Sequence, residues 1–305
     1  MKLFLKDCMI INIKDKYMIE LENIAYNYKK FSWLNEVSFS LKKNDFCILF
    51  GPENAGKTLL IHIIMGFISG YQGNIKMFDH EINPSCRKAN MKIRFIPEAI
   101  AWEENITIAH YLDITASESD NYDIELQNKL WQEFQLPIGK KMLQMSYEQN
   151  KLIQILTAVC SGPDILILDN PGFYLDSSTY ERVLHYLRIW VKTGKIVLLA
   201  SRDYPNAAKY ANCYAYLKQG QLISFGRINR PDYRQKIVTV TGGDYTYLEK
   251  KMDKCIVKEK RTRVYLYTGN MKELPNILYT ARCQDSTIEE LTMEEELEKN
   301  YSGWE

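Results

Sequence analysis

Gly51-Pro52-Glu53-Asn54-Ala55-Gly56-Lys57-Thr58 fits the spacing G-x-x-x-x-G-K-[ST]. In such a loop the backbone N–H groups and the positive end of the next helix surround a polyphosphate. Lys57 adds a point charge, and Thr58 offers an oxygen to Mg²⁺. Context separates this loop from an ordinary glycine turn. Here the buried-type run Phe46-Cys47-Ile48-Leu49-Phe50 precedes it, and Thr58 to Phe67 has the apolar density of a buried helix. Further on, Ile165-Leu166-Ile167-Leu168-Asp169 reads as an apolar strand ending in a carboxylate, placed to hold the hydration shell of Mg²⁺ from a neighbouring strand.

The elements that must position these groups follow from periodicity. Met18 to Leu41 alternates in IELENIAY and NEVSFSL, which predicts antiparallel strands. From about Glu98 to Cys160 the stretches ITIAHYLDI, DIELQNKLWQEF and SYEQNKLIQILTAV place apolar residues three or four apart, which predicts a helical insert. The runs Ile165 to Leu168 and Ile196 to Ala200 flank the amphipathic TYERVLHYLRIWV, the strand–helix–strand rhythm of a parallel sheet. The hairpin AYLKQGQLISFG closes this part, and the texture changes at Arg227-Ile228-Asn229-Arg230-Pro231, where a linker is expected. A small α+β domain is predicted beyond it. Its strands are KIVTVTG and RVYLYTG, with helices from about Asp244 and near Met271 and an acidic terminal helix opened by the capping box Thr292-x-x-Glu295. The expected boundaries are an N-terminal extension over 1–17, a nucleotide-binding domain over 18–228 with a helical subdomain over about 98–160, and a C-terminal domain over 232–305.

A chain of 305 residues is long enough for about two domains. With 46% hydrophobic and 25% charged residues, disordered, collagenous and disulfide-scaffold classes are excluded. Lys plus Arg 39 against Asp plus Glu 38 leaves no global field to hold nucleic acid, so any anion is bound locally. Seven scattered cysteines without C-x-x-C spacing read as reduced structural thiols, and four scattered histidines show no ligand spacing. The longest mostly apolar stretch, Leu59 to Ser69, is too short for the ~20 residues of a membrane span, and the first residues lack the pattern of a signal peptide.

Taken together, Ile19 to Gly226 resembles the ATP-binding subunit of bacterial ATP-binding-cassette (ABC) transporters. The resemblance implies an α/β P-loop NTPase fold of ABC type, with a mixed sheet core, an antiparallel β subdomain and a helical insert. It implies ATP and Mg²⁺ as ligands. It also implies a separate integral-membrane permease as partner, a homodimer or heterodimer of cassettes, no nucleic acid, and a cytoplasmic location at the inner face of the membrane. Tyr28, with Tyr26 as the fallback, stands where the family stacks an aromatic on adenine. Glu98, in Arg94-Phe95-Ile96-Pro97-Glu98, replaces the Q-loop glutamine and keeps an oxygen for Mg²⁺ or water. Met145-Ser146-Tyr147-Glu148-Gln149 aligns with the signature Leu-Ser-Gly-Gly-Gln, so Ser146, Glu148 and Gln149 are nucleotide-facing by resemblance, with Ser146 a helix N-cap. Leu175-Asp176 matches the D-loop. The implied metal-holding residues are Thr58, Glu98 and Asp169.

The departures fall on hydrolysis. Asn170 takes the place of the catalytic Glu, and Ser201-Arg202-Asp203 puts Arg202 where the family has His. Asn170, Arg202 and Glu98 are thus the residues of the catalytic position. An amide cannot accept a proton, and general-base contributions of ~10²–10⁴-fold correspond to roughly 3–5 kcal/mol of barrier, so slow turnover is expected. Glu148 and Arg202 carry opposite charges at places that face one another across the nucleotide of a family dimer. They either compensate in a homodimer or have drifted independently. Two readings of function stand: an energy-coupling subunit of an export-type transporter for a drug, peptide or bacteriocin, and a non-hydrolysing regulatory module. A small-molecule kinase would need an acceptor pocket and a basic lid, and a translation or repair factor would need a second cassette and more basic charge. The C-terminal extension resembles accessory extensions of drug-, bacteriocin- or lantibiotic-export cassettes.

Overall fold

The alternating N-terminal segments form the hairpin expected of them: β1 (Tyr17–Tyr28) pairs antiparallel with β2 (Phe31–Lys42). The computed structural model describes residues 17–78, 80–81, 92–99, 105–202, 204–228, 236–267 and 271–290. Most of the expected N-terminal extension, most of the linker, Asp203 and the acidic terminal helix lie outside the described residues. The chain divides into two units, residues 1–227 and 228–305.

In the first unit β3 (Phe46–Phe50) leads through the glycine loop into α1 (Lys57–Ile64), followed by β4 (Gln72–Met77), β5 (His80–Glu81) and β6 (Ile93–Ile96). Three helices then form the insert: α2 (Ile108–Ser117), α3 (Ile124–Glu133) and α4 (Tyr147–Cys160). The chain returns through β7 (Ile165–Asp169), α5 (Ser177–Trp190), β8 (Ile196–Ala200), the short α6 (Tyr204–Ala208), β9 (Cys213–Lys218) and β10 (Gln221–Arg227). The strands make one ten-stranded sheet in the order β5-β4-β1-β2-β10-β9-β3-β8-β7-β6. Its β5-β4-β1-β2 part is antiparallel, while β9, β3, β8, β7 and β6 run parallel. A single parallel pair, Gln221 with Asn35, joins the two parts. Every residue of β3, β7 and β8 is buried, as strands covered on both faces must be, which is why these segments read as continuous apolar runs.

Local signals set the helix starts. Thr107 accepts from the N–H of His110, Asp123 from that of Leu126, and Asp176 from those of Ser178 and Thr179. Ser146 and Gln149 form a reciprocal capping box at the start of α4, with Gln149 N–H 3.1 Å from Ser146 Oγ and Ser146 N–H 3.2 Å from Gln149 Oε1. The helix after the loop is shorter than its apolar pattern predicts and ends at Ile64, where Met65 and Gly66 close the last turn. Among the described residues no helix is long and apolar enough to cross a membrane.

The second unit has more strands than the sequence predicts. Its order is β11 (Lys236–Thr241), α7 (Tyr245–Lys251), β12 (Lys254–Lys258), β13 (Thr262–Tyr267), α8 (Leu274–Thr280) and β14 (Asp285–Glu290). The sheet runs β12-β13-β11-β14, antiparallel throughout. A βαββαβ chain with this order is the ferredoxin-like arrangement. Val238, Val240, Tyr265 and Tyr267 of the sheet pack with Leu248, Met252, Leu274 and Ile277 in its own core. Each helix starts where expected within three residues, and Asp244 caps α7 by accepting from Tyr247 N–H.

Candidate functional site

The parallel register brings separate parts of the chain to one edge. Leu49 of β3 lies beside Ala200 of β8, Asp169 of β7 beside the same Ala200, and Ile96 of β6 beside Leu168. The residues that follow these strand ends therefore converge, at the carboxyl edge where open α/β sheets bind ligands. A cavity of about 310 Å³ opens there, lined by residues 53–59 of the loop and α1, by Glu98, Asp169, Asn170, Ala200 and Arg202, and by Trp33 of β2.

The loop is shaped by two glycines in the left-handed region. A Cβ on Gly51 (φ 144°) would sit 1.9 Å from the carbonyl oxygen of Leu217, and one on Gly56 (φ 99°) would sit 2.8 Å from Leu34 Cδ2. Only glycine lets the loop pass this close to the sheet. Lys57 Nζ donates to the carbonyl oxygens of Gly51 and Pro52, at 2.6 and 2.7 Å, so its ammonium folds back along the loop. Thr58 hydrogen-bonds the Asp169 carboxylate. Burial pushes the Asp169 carboxyl above its ordinary value of 3.8; Thr58 opposes the rise and the charge of Glu98 adds to it.

Asn170 holds the left-handed conformation (φ 46°, ψ 48°), and its N–H donates to Ala200 O at 2.8 Å. Its side-chain Nδ2 is buried with no acceptor among the described residues. A buried amide donor in a cavity wall needs an acceptor there. Arg202 donates from Nη1 to Glu53 Oε1 at 2.8 Å, stands 3.8 Å from Glu98 Oε1, and lies over the Phe173 ring at 5.8 Å.

Glu53, Asn54, Ala55, Gly56, Lys57, Thr58, Glu98, Asp169, Asn170 and Arg202 are thus brought together, with Gly51 and Pro52 holding the lysine. Ser146, Glu148, Gln149 and Asp176 lie apart from the cavity lining, at the N-termini of α4 and α5. There Glu148 Oε1 accepts from Asp176 N–H at 3.1 Å. The Thr179 hydroxyl, 2.5 Å from Asp176 Oδ2, is the main cause of an Asp176 carboxyl held well below the usual carboxylate range. Within one chain, Arg202 and Glu148 each have partners other than one another.

Tyr28 is exposed at the end of β1, under Lys29 Nζ at 5.5 Å, and is absent from the cavity lining. The aromatic side chain in that lining is Trp33. Nothing in the sequence pattern singled it out: residues 31–37 of β2 bury only Leu34 and Val37, without strict alternation. A second residue not legible beforehand is Lys151, buried on α4.

This donor set fits a nucleotide with a divalent cation. A cradle that a Cβ would fill, an ammonium, a guanidinium and an orphaned amide donor suit a polyphosphate; a hydroxyl and carboxylates suit a hard cation sharing phosphate oxygens. Among the described residues no three His, Cys, Asp or Glu gather into a metal site of their own.

The family described as "ABC transporter" matches residues 34–172. Curated relatives include the molybdate/tungstate import ATP-binding protein WtpC of Pyrococcus abyssi, 26% identical over 69% of this chain. The linearmycin resistance ATP-binding protein LnrL of Bacillus subtilis is 26% identical over 68% of this chain and 69% of its own length. The chain spans 62% of the length of the first of these. A solved ATP-binding subunit of an ABC transporter is similar with a TM-score of 0.65, at 21% identity, covering 69% of this chain and 90% of that one. A dimeric ATP-binding cassette bound to ADP and Pi is similar with a TM-score of 0.62, at 20% identity, over 70% of this chain and all of that one.

Proposed function

The chain belongs to the ABC transporter family as an ATP-binding subunit, and on that premise we propose that it binds ATP in the cavity at the carboxyl ends of β3, β7 and β8, pairs with a second cassette, and drives or gates a separate membrane permease. The observation that carries this reading is the convergence of the Gly51–Thr58 loop, Asp169 and Arg202 at one sheet edge. Loop N–H groups, Lys57 and Arg202 hold the phosphates. Thr58, Asp169 and Glu98 are the residues that would hold a Mg²⁺ ion, whose charge would offset that of the phosphates. Ser146, Glu148, Gln149 and Asp176 face the second cassette, and the chain works at the cytoplasmic face of the membrane beside its permease.

Hydrolysis is slow in this reading, because Asn170 offers a donor where a proton acceptor is required. Its buried, unpartnered Nδ2 also favours the second reading, a regulatory module that retains ATP: an amide N–H suits a phosphate oxygen and leaves water unactivated. We place the cargo on the export side, as a drug, peptide or bacteriocin. A resistance protein among the relatives agrees with this, and an import protein for molybdate/tungstate weighs against it. Equilibrium titration with ATP tests the whole: binding that Lys57→Ala abolishes is expected, and no binding, or binding indifferent to Lys57, overturns it. Transport by the chain reconstituted with a candidate permease decides the direction.

A further inference from the structure

Lys151 is buried to within 2% of its surface on α4, among the core residues Leu152, Ile153, Ile155 and Leu156. A position that only needed filling would take an aliphatic residue there, because an ammonium is costly to bury without compensation. Its Nζ donates to the carbonyl oxygen of Pro97 at 2.5 Å, the residue before Glu98, and stands 5.8 Å from the centre of the Tyr174 ring. Tyr174 is met a second time from α4: Tyr147 stacks on it at 5.5 Å and 23°, and Glu148 accepts from Asp176 N–H two residues on. Just over one turn of α4, Tyr147 to Lys151, thus grips both the segment that carries Glu98 and the loop that follows Asn170.

The charges facing Lys151 come from two strand ends, Glu98 after β6 and Asp169 on β7. Burial lowers its pKa to about 8, and these two carboxylates work against that fall. Around them stand Lys57 and His62 of α1, which act on Asp169, and Arg202, which stands 3.8 Å from Glu98. Glutamate at position 98 adds an anion to a cavity that must accept phosphates, and Lys151, outside the lining, hydrogen-bonds the residue before it and carries the opposite charge.

We propose that Lys151 is a positioning residue of the nucleotide site: it holds Glu98 and the Tyr174 loop on α4 and offsets the carboxylates of Glu98 and Asp169 so that a polyphosphate can enter. The inference rests on the ATP-binding reading given above.

Titration calorimetry of the full chain with ATP, on the unsubstituted protein and on Lys151→Met, Glu98→Gln and the double variant, tests it. Lys151→Met is expected to weaken ATP by about tenfold, the equivalent of about 1.4 kcal/mol, and Glu98→Gln in the same chain to restore it to within about threefold of the unsubstituted protein. An affinity unchanged in Lys151→Met makes the lysine a filler and overturns the inference. A loss that Glu98→Gln does not repair makes it a mechanical tether only and overturns the charge role. Lys151→Arg keeps the charge and is expected to hold ATP within about threefold; a tenfold loss there overturns the charge role even where the Met variant fails to fold. Absence of ATP binding by the unsubstituted chain overturns the reading of the site and this inference together, whereas binding that Lys151→Met leaves intact overturns the inference alone.

Discussion

Arg202 and Glu53 meet within the cavity lining, Nη1 2.8 Å from Oε1, so the arginine that follows β8 is engaged by the Gly51–Thr58 loop itself. The pair is open to solvent, with side chains 48% and 71% exposed, and exposed ion pairs contribute about 0–1 kcal/mol. Such a contact is easily exchanged for a phosphate, which accepts both arms of a guanidinium.

Glu53→Gln therefore leaves thermal stability nearly unchanged and raises the affinity for ATP about two- to fivefold, with ADP affected less, because only a third phosphate competes for Arg202. Parallel titrations with ATP and ADP check this; equal gains for both nucleotides would place Arg202 away from the γ-phosphate.

Gly51→Ala is expected to cost more than Gly56→Ala. The first meets a backbone carbonyl oxygen at 1.9 Å, the second the end of a leucine side chain at 2.8 Å that can move aside. Left-handed strain alone costs ~1–3 kcal/mol, and the backbone collision adds to it at Gly51. Urea unfolding of both variants gives the order, and a reversed order would contradict the loop geometry.

Asn170→Glu tests whether the missing base is the main block to hydrolysis. A gain of at least about tenfold in ATP turnover is expected, toward the ~10²–10⁴-fold that a general base contributes. No gain moves the block to Glu98 and Arg202.

Asp169 carries a pH dependence of known sign. Its carboxyl is raised above 3.8 in the folded chain, so the folded state binds more protons than the unfolded one between 3.8 and that raised value, and stability falls as pH rises through this window. Asp169→Asn is expected to be more stable than the unsubstituted chain at pH 7, with the gap closing as pH falls toward 3.8. Melting temperatures across pH decide it, and a gap that widens on acidification would reverse the sign.

The central strands, the phosphate loop and the helix caps were legible in the amino-acid order because each depends on neighbours in the chain. A strand covered on both faces reads as a near-continuous apolar run, and β3 and β8 are such runs. Ser146 and Gln149 cap α4 from three residues apart. The strands β12 and β14 escaped because KCIVK and DSTIEE are short edge segments without clean alternation, so the ferredoxin-like order appeared only when they paired with β13 and β11.

By itself, then, the sequence determined the resemblance, the glycine loop between β3 and α1 and the amide at position 170, since these are written in residue type and short spacing. Tertiary structure alone decided the charge partners: Arg202 with Glu53 and Glu98, Glu148 with the Asp176 N–H, and Lys151 with Glu98 and Asp169. Coulomb interactions depend on distance in space, and the fold brings together charged side chains far apart in the chain, Arg202 and Glu53 being 149 positions apart.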